Sequence, residues 1–393
     1  MKNLRLFLFI LAIGVFGILN TEMGVIGILP AVAERFSVPI SQAGLLVSLF
    51  ALVVAGAGPV MPLLFSRFNR KTVMLFVLGL FAVCNLLSAF TDSFAVLLAA
   101  RIIPAFFHPV YCSLAFAAAA QEAPAGEGPK AVGKVMIGTA AGMVVGVPVS
   151  NFLAAQFSLE ASLLFFAAVT ALAFLATLLW VPSLPVHQVL SYGSQLAVLK
   201  KPVVWQAILA VVFMNGAVFG VFSYLADYLD RVTGLNPQNV SLLLLYGLAN
   251  VVGSYISGGL LIRFPRSSVQ AFPFVLAALY GLLSLAGTSA SFTALVILLW
   301  GILGGINANM NQYWLTTAAP EAAAFANGLF LTAANLGTMA ASLLCGQLID
   351  RYGTSFVLSG GVFFAAVSAL FIFWRTSQSG TPISVLQKGG NVL

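Results

Sequence analysis

Long apolar runs, each interrupted by only a few polar residues, occupy most of the chain. An α-helix rises about 1.5 Å per residue, so roughly 20 apolar residues cross the hydrocarbon of a bilayer. Runs of that length fall near 5–30, 42–65, 72–90, 94–119, 132–156, 161–181, 203–229, 240–262, 269–288, 292–318, 323–349 and 355–374. The pattern predicts twelve membrane-spanning helices. Most connections are short enough to force antiparallel neighbours. Two are longer: a polar Gly/Pro-rich loop at 121–134, and the stretch 182–201 near the middle of the chain. The latter reads as a linker between an N-terminal six-helix bundle, 1–181, and a C-terminal one, 202–393.

The two halves show weak internal likeness. Glu34-Arg35-Phe36 after the first run matches Asp230-Arg231-Val232 after the seventh, and Pro39 and Pro237 follow them. Internal duplication of this kind is common in transporters, whose substrate site lies between the repeats.

Composition narrows the class. Only 7% of the 393 residues are charged and 61% are hydrophobic, against about 25% charged in soluble domains. The net charge of +7 is scattered between apolar runs, as topology determinants are, and offers no patch for nucleic acid. On the side shared by both termini lie thirteen basic residues: Lys2, Arg5, Arg67, Arg70, Lys71, Lys130, Lys134, Lys200, Lys201, Arg263, Arg266, Arg375 and Lys388. Arg35, Arg231 and Arg351 lie opposite. The positive-inside rule then puts both termini in the cytoplasm, as expected of a multi-pass protein of the cell inner membrane. Lys2 and Arg5 before an apolar stretch, with Ala31-Val32-Ala33 after it, imitate a signal peptide. The stretch is too long for one and contains Glu22, so a retained first helix is expected. Cys84, Cys112 and Cys345 are far apart within apolar runs and suggest packing, with neither a disulfide framework nor metal spacing.

Ionisable groups in hydrocarbon cost a few kcal/mol on insertion scales and therefore point to function. Glu22 and Arg101 lie at similar depth, where they could form a direct pair or share a polar network. The alternative is a permanent structural ion pair. His108, beside Pro109, is a second proton-site candidate. Asp227, between Tyr224 and Tyr228, reads as an anchor at headgroup level. Neutral polar side chains offer a substrate lining: Asn20, Asn215, Asn250, Asn307, Asn311, Gln312 and Asn335, with Tyr224 and Trp314 as aromatic partners. Asn307, Asn311 and Trp314 share one helical face. Such amides also join helices to one another. Gly138, Gly142 and Gly146, followed by Pro148, form a stripe that lets another backbone approach. No Walker loop, metal-binding His pair or nucleophilic triad is recognisable, so no cofactor, no metal and no enzymatic activity are expected.

Several of these segments resemble the major facilitator superfamily, in its twelve-helix drug:proton antiporter branch of sugar and nucleoside efflux permeases. They are Asn20-Thr21-Glu22 with Leu29-Pro30, Leu98-Ala99-Ala100-Arg101, and Gly142-x-x-x-Gly146-x-Pro148. The stretch from Thr233-Gly234-Leu235 to Leu245-Tyr246-Gly247-Leu248-Ala249-Asn250, and Pro320-Glu321 through Asn335-Leu336-Gly337, are similar to the arabinose-efflux-type subgroup. The resemblance implies an all-α membrane fold of two six-helix bundles related by a pseudo-two-fold axis. It also implies proton handling by Glu22 and Arg101, and packing by the antiporter-motif glycines. The loop Pro62-Leu63-Leu64-Phe65-Ser66-Arg67-Phe68-Asn69-Arg70-Lys71 departs from the family pattern: Pro62, Ser66 and Asn69 stand where Gly, Asp and Gly are usual.

The expected function is proton-coupled efflux of a small organic solute (sugar, nucleoside or drug-like) by alternating access, by a monomer whose partners are substrate, protons and lipid bilayer. An uptake symporter or facilitator is the alternative within carriers. A receptor or scaffold without transport is the alternative outside them.

Overall fold

A computed structural model describes residues 4–65, 67–124, 128–184, 195–235, 240–285, 289–319 and 323–378. Pro237, Pro320, Glu321, Ser66 and residues 185–194 of the linker lie outside the described residues; of the linker's second half, Gln195–Lys200 forms a short 3-10 helix. Among the described residues, 12 helices are long and apolar enough to cross a membrane. We number them as spans 1 to 12: Leu4–Arg35, Ile40–Ala57, Arg70–Phe90, Phe94–Ala119, Lys134–Gln156, Leu159–Trp180, Pro202–Phe222, Ser241–Leu261, Pro265–Leu285, Ala290–Thr316, Gly328–Tyr352 and Thr354–Ser377. An even number of crossings brings Leu4 and Ser377 to one face, here the termini face; the other is the far face.

Helix ends follow local chemistry. The Asn69 side chain accepts the Lys71 backbone N–H at the start of span 3, and Ser158 accepts that of Ala161 at the start of span 6. Pro202 opens span 7 at a position where its missing N–H costs nothing. Gly353, at φ 93°, supplies the left-handed turn between spans 11 and 12.

Three expectations need correction. Span 2 does not continue to 65 but ends at Ala57. Gly58 and Pro59 follow it, and only a short helix, Met61–Leu64, precedes the next span. Span 7 ends at Phe222 instead of 229, and Leu225–Arg231 forms a separate short helix. The polar loop 121–134 is mostly helical, because His108–Glu122 and Gly128–Ala141 run into it from both sides.

The internal repeat becomes visible in these breaks. In span 1 the α-helix stops at Gly24, a 3-10 turn follows at Val25–Ile28, and Leu29–Arg35 continues. Leu29–Arg35 and Leu225–Arg231 are offset by about 196 residues, so both halves carry a broken first helix with the same short far-face segment.

Within each half the spans pack as a bundle: span 1 on spans 5 and 6, span 3 on span 6, span 7 on spans 11 and 12, and span 8 on span 10. Side chains facing outward are large and apolar, including Val83, Ile137 and Leu285, as a lipid solvent requires. The halves meet along spans 2 and 11, and between 142–156 and span 8. At the far face the Ser41 hydroxyl donates to Asp350 across the halves, and Tyr224, which donates to the Ser342 carbonyl of its own half at 3.0 Å, seats against Gly44 of the other. Tyr224 fits there because Gly44 and Gly346 leave room for its hydroxyl; a Cβ on Gly346 would lie 2.6 Å from that oxygen.

Backbone-to-backbone contact is closest between spans 8 and 10. A Cβ at Gly305 would stand 1.9 Å from the Asn250 carbonyl oxygen, whereas a Cβ at Gly258 would meet nothing within 4 Å. Gly305→Leu is therefore expected to destabilise the protein by at least about 1–3 kcal/mol. The measurement is thermal unfolding of the purified variant, which should melt well below the parent; Gly258→Leu should melt with it.

Candidate functional site

The break in span 1 organises the site. The last four carbonyls of an α-helix have no partner within it, and here that helix ends at Gly24. Other spans supply donors to the freed carbonyls. Arg101 Nη1 donates to the Thr21 carbonyl at 2.8 Å and Nη2 to that of Glu22 at 3.2 Å, while Nε reaches the Leu46 carbonyl of span 2. The Ser150 hydroxyl donates to the Gly24 carbonyl, and the Asn151 amide to that of Gly27.

Arg101 therefore does not pair with the Glu22 carboxylate. Its guanidinium is 3% exposed, held by three main-chain oxygens and stacked 5.1 Å from the centre of the Phe50 ring. The Glu22 carboxylate turns instead to His108, with Oε2 3.0 Å from Nε2. His108 reaches it because span 4 is interrupted: Pro104 lies in the first segment, Phe94–Ala105, and a second begins at His108 itself. The buried Nδ1 of His108 has no hydrogen-bond partner among the described residues. A proton there would be unpaired, whereas one on Nε2 lies between imidazole and carboxylate. Cys112 Sγ stands 4.0 Å from the same Nε2.

Glu22 and His108 line a cavity of about 280 Å³ between the halves. Its walls are largely apolar, from Met23, Ile26, Val47, Phe50, Met143, Phe219 and Phe330. Asn215, Asn335, Thr139 and Thr338 are its other polar side chains. Of the amides expected to line a site, Asn215 and Asn335 reach this cavity.

The remaining sequence candidates lie elsewhere. Asn307 and Asn311 are fully buried and form a ladder behind Asn215: Asn311 donates to Asn307, Asn307 to Asn215, and Asn215 to Thr338 and the Ala334 carbonyl. Their shared face is real, but it turns toward span 7 and not into the cavity. Trp314 is sealed beneath Arg375, whose guanidinium carbon lies 4.0 Å from the ring centre. Asn250 packs against Gly304 and Gly305, Gln312 is half-buried outside the cavity lining, and Tyr224 belongs to the far-face contact described above. Asn20 is buried beside Gly146. Asp227 is no headgroup anchor: at 1% exposed it accepts from the Thr354 hydroxyl at 2.8 Å and pairs with Arg231.

The glycine stripe does what its spacing suggests. Cβ atoms on Gly138, Gly142 and Gly146 would collide with Ala12, Leu19 and Asn20 of span 1. Gly142–Gly146 forms a π turn just before Pro148, which accommodates the ring that an unbroken α-helix would crowd. The bulge carries Val144 against the backbone of Gly247 in span 8. In the variant loop, Arg70 donates to the Gln121 side chain at 2.5 Å and Lys71 to the Leu178 carbonyl, so its basic residues tie spans 3, 4 and 6 together. Phe50, Phe219 and Thr338 were not anticipated as lining residues; nothing in their spacing separates them from ordinary core.

Removing Arg101 would take the donor from the Thr21 and Glu22 carbonyls at the break, at about 1–3 kcal/mol for each that stays unsatisfied. Arg101→Met is expected to lower the unfolding temperature strongly, and Arg101→Lys to recover only part of it, because an ammonium cannot reproduce the fork. Glu22→Gln should leave it near the parent value, since the amide oxygen still accepts from His108. Thermal unfolding in detergent measures all three.

Comparison with known proteins agrees with this architecture. The chain is 31% identical over 349 residues to the Bacillus subtilis (strain 168) protein named "Uncharacterized MFS-type transporter YtbD", covering 87% of this chain and 88% of that one. It is 27% identical over 377 residues to the inner membrane transport protein YdhP of Escherichia coli (strain K12), covering 95% and 97%. A probable sugar efflux transporter of Helicobacter pylori (strain ATCC 700392 / 26695) is 28% identical over 379 residues, with 94% of each chain covered. Among solved structures, the fold matches a bacterial homolog to the human lysosomal transporter Spinster, inward-facing and unoccupied, with a TM-score of 0.78 at 17% identity, over 95% of this chain and 97% of that one. The nucleoside transporter NupG, as a point mutant, matches with a TM-score of 0.78 at 15% identity, over 95% and 99%. Residues 11–342 match the profile of the Major Facilitator Superfamily, and the chain belongs to that family of membrane transporters.

Proposed function

We propose that this transporter of small solutes exports its substrate in exchange for protons, and that the Glu22–His108 pair is the proton site. The observation that carries the reading is that this pair and the amides Asn215 and Asn335 line one cavity between the halves. Proton and substrate then act on the same space. Protonating Glu22 removes the negative charge that faces His108 and the cavity, so substrate and proton favour different states of the pair. A ligand shifts a conformational equilibrium only through such differential affinity.

In this reading the moving bodies are the two bundles, 1–181 and 202–393, joined by the linker 182–201, and the carrier works as a monomer. The excess of basic residues on the termini face puts that face in the cytoplasm of the inner membrane. The Ser41–Asp350 hydrogen bond and the seat of Tyr224 against Gly44 then close the outer end, and access to the cavity is from within. Opening outward requires those contacts, and that of Val144 with Gly247, to part. Arg101 is a fixed positive neighbour that holds the broken helix, and Asn307 and Asn311 fix the orientation of Asn215. The probable sugar efflux transporter among the relatives makes a sugar the first substrate to try, with nucleosides next.

The experiment uses proteoliposomes loaded with labelled sugars and nucleosides, with an imposed pH gradient. Parent protein is expected to drive efflux with the gradient. Glu22→Gln should lose at least about tenfold of the gradient-driven rate while keeping gradient-free counterflow. Undiminished gradient-driven efflux by Glu22→Gln would remove Glu22 from the coupling.

A further inference from the structure

A second cavity, of about 390 Å³, lies outside the transport path, in the surface furrow between spans 1 and 5. Both spans begin at the termini face, so they run side by side in the same direction. The furrow exists because the two backbones touch: a Cβ on Gly138 would stand 2.3 Å from the Ala12 carbonyl oxygen. Ala12, Gly138 and Ala141 leave its floor low. Phe9 and Ile137 form its rims and are 62% and 65% exposed.

Its polar groups are both basic. Arg5 and Lys134 stand one turn toward the termini face from Phe9 and Ile137, at the same end of the furrow. Both are exposed, and neither makes an ion pair or a side-chain hydrogen bond with the other described residues. Along span 1 the furrow runs from Arg5 to Phe16, about 17 Å at helical rise. That is close to one leaflet of a hydrocarbon core about 30 Å thick.

We propose that this furrow is a binding site for one anionic phospholipid of the termini-side leaflet. Its phosphate sits between Arg5 and Lys134, and an acyl chain lies over Ala12, Gly138 and Ala141. The site matches the ligand at both ends: an apolar trough of leaflet length and, where the headgroup begins, two cations without an ion pair among the described residues. A zwitterionic lipid could fill the trough and offer its phosphate, but the ammonium it carries offsets the charge that the two cations attract. A soluble phosphate would satisfy the cations but not the trough. Each cation near a headgroup layer contributes about 1 kcal/mol toward anionic lipid, so two give a preference of roughly thirtyfold.

The test is native mass spectrometry of the full-length protein in detergent, titrated with phosphatidylglycerol and with phosphatidylcholine of the same acyl chains. Parent protein should retain one phosphatidylglycerol with a preference of at least about tenfold. The double variant Arg5→Gln/Lys134→Gln should retain both lipids alike. Ala12→Phe, which raises the floor while keeping both cations, should also lose the retained lipid. Lys71→Gln, a basic residue of the same face already bound to the Leu178 carbonyl, should behave as the parent. Equal retention of the two lipids by the parent would overturn the proposal, as would an unchanged preference in the double variant. Unchanged retention by a folded Ala12→Phe would show that the charges act without the furrow, and would overturn it too.

Discussion

The interruption of span 1 is the feature on which the rest of the site depends. In hydrocarbon no water is present to satisfy a freed main-chain carbonyl, so a helix that stops at Gly24 must find donors from other spans. Arg101, Ser150 and Asn151 are those donors. Arg101 is consequently committed to the backbone, and its guanidinium donates to main-chain oxygens and not to the carboxylate beside it. That leaves the Glu22 carboxylate to face His108 and the cavity. A direct Glu22–Arg101 pair would have held spans 1 and 4 together and turned the carboxylate away from His108.

The break also links the site to the contacts between the halves. Its short far-face segment, Leu29–Arg35, packs against the counterpart Leu225–Arg231 helix of the other half. The segment of span 5 that seats on the broken helix carries the π turn and Val144, which meets span 8. A change of charge at Glu22 therefore occurs one turn from a helix break whose neighbours touch the opposite half. The cavity is divided unevenly between the halves: the first supplies its titratable side chains, Glu22 and His108, while the second holds an amide ladder that presents Asn215.

Much of this was legible in the sequence, for physical reasons. Lipid demands about twenty apolar residues per crossing, so the spans declared themselves, and their errors fell where Pro59 and the Ser223–Tyr224 turn cut a long run. Glu22, Arg101 and His108 were conspicuous because charge and hydrocarbon are rarely combined. Their partners were not, because the carbonyls that bind Arg101 become available only through a helix break that no residue announces. For Asn307, Asn311 and Trp314, spacing gave the shared face but not its direction, which is decided by Asn215 on span 7 and Arg375 on span 12. The lining by Phe50 and Phe219 is a property of the assembled halves alone.

The central claim is that the protonation state of Glu22 biases which face is open. Its most direct measurement is a distance across the far face, by pulsed electron double resonance between spin labels at Glu34→Cys and Arg351→Cys, with Cys84, Cys112 and Cys345 replaced by serine. These exposed positions lie on opposite halves. The account predicts a distance distribution that redistributes between two populations as pH is varied, and that stops responding when Glu22→Gln is added. The same pH response with and without Glu22→Gln would contradict it.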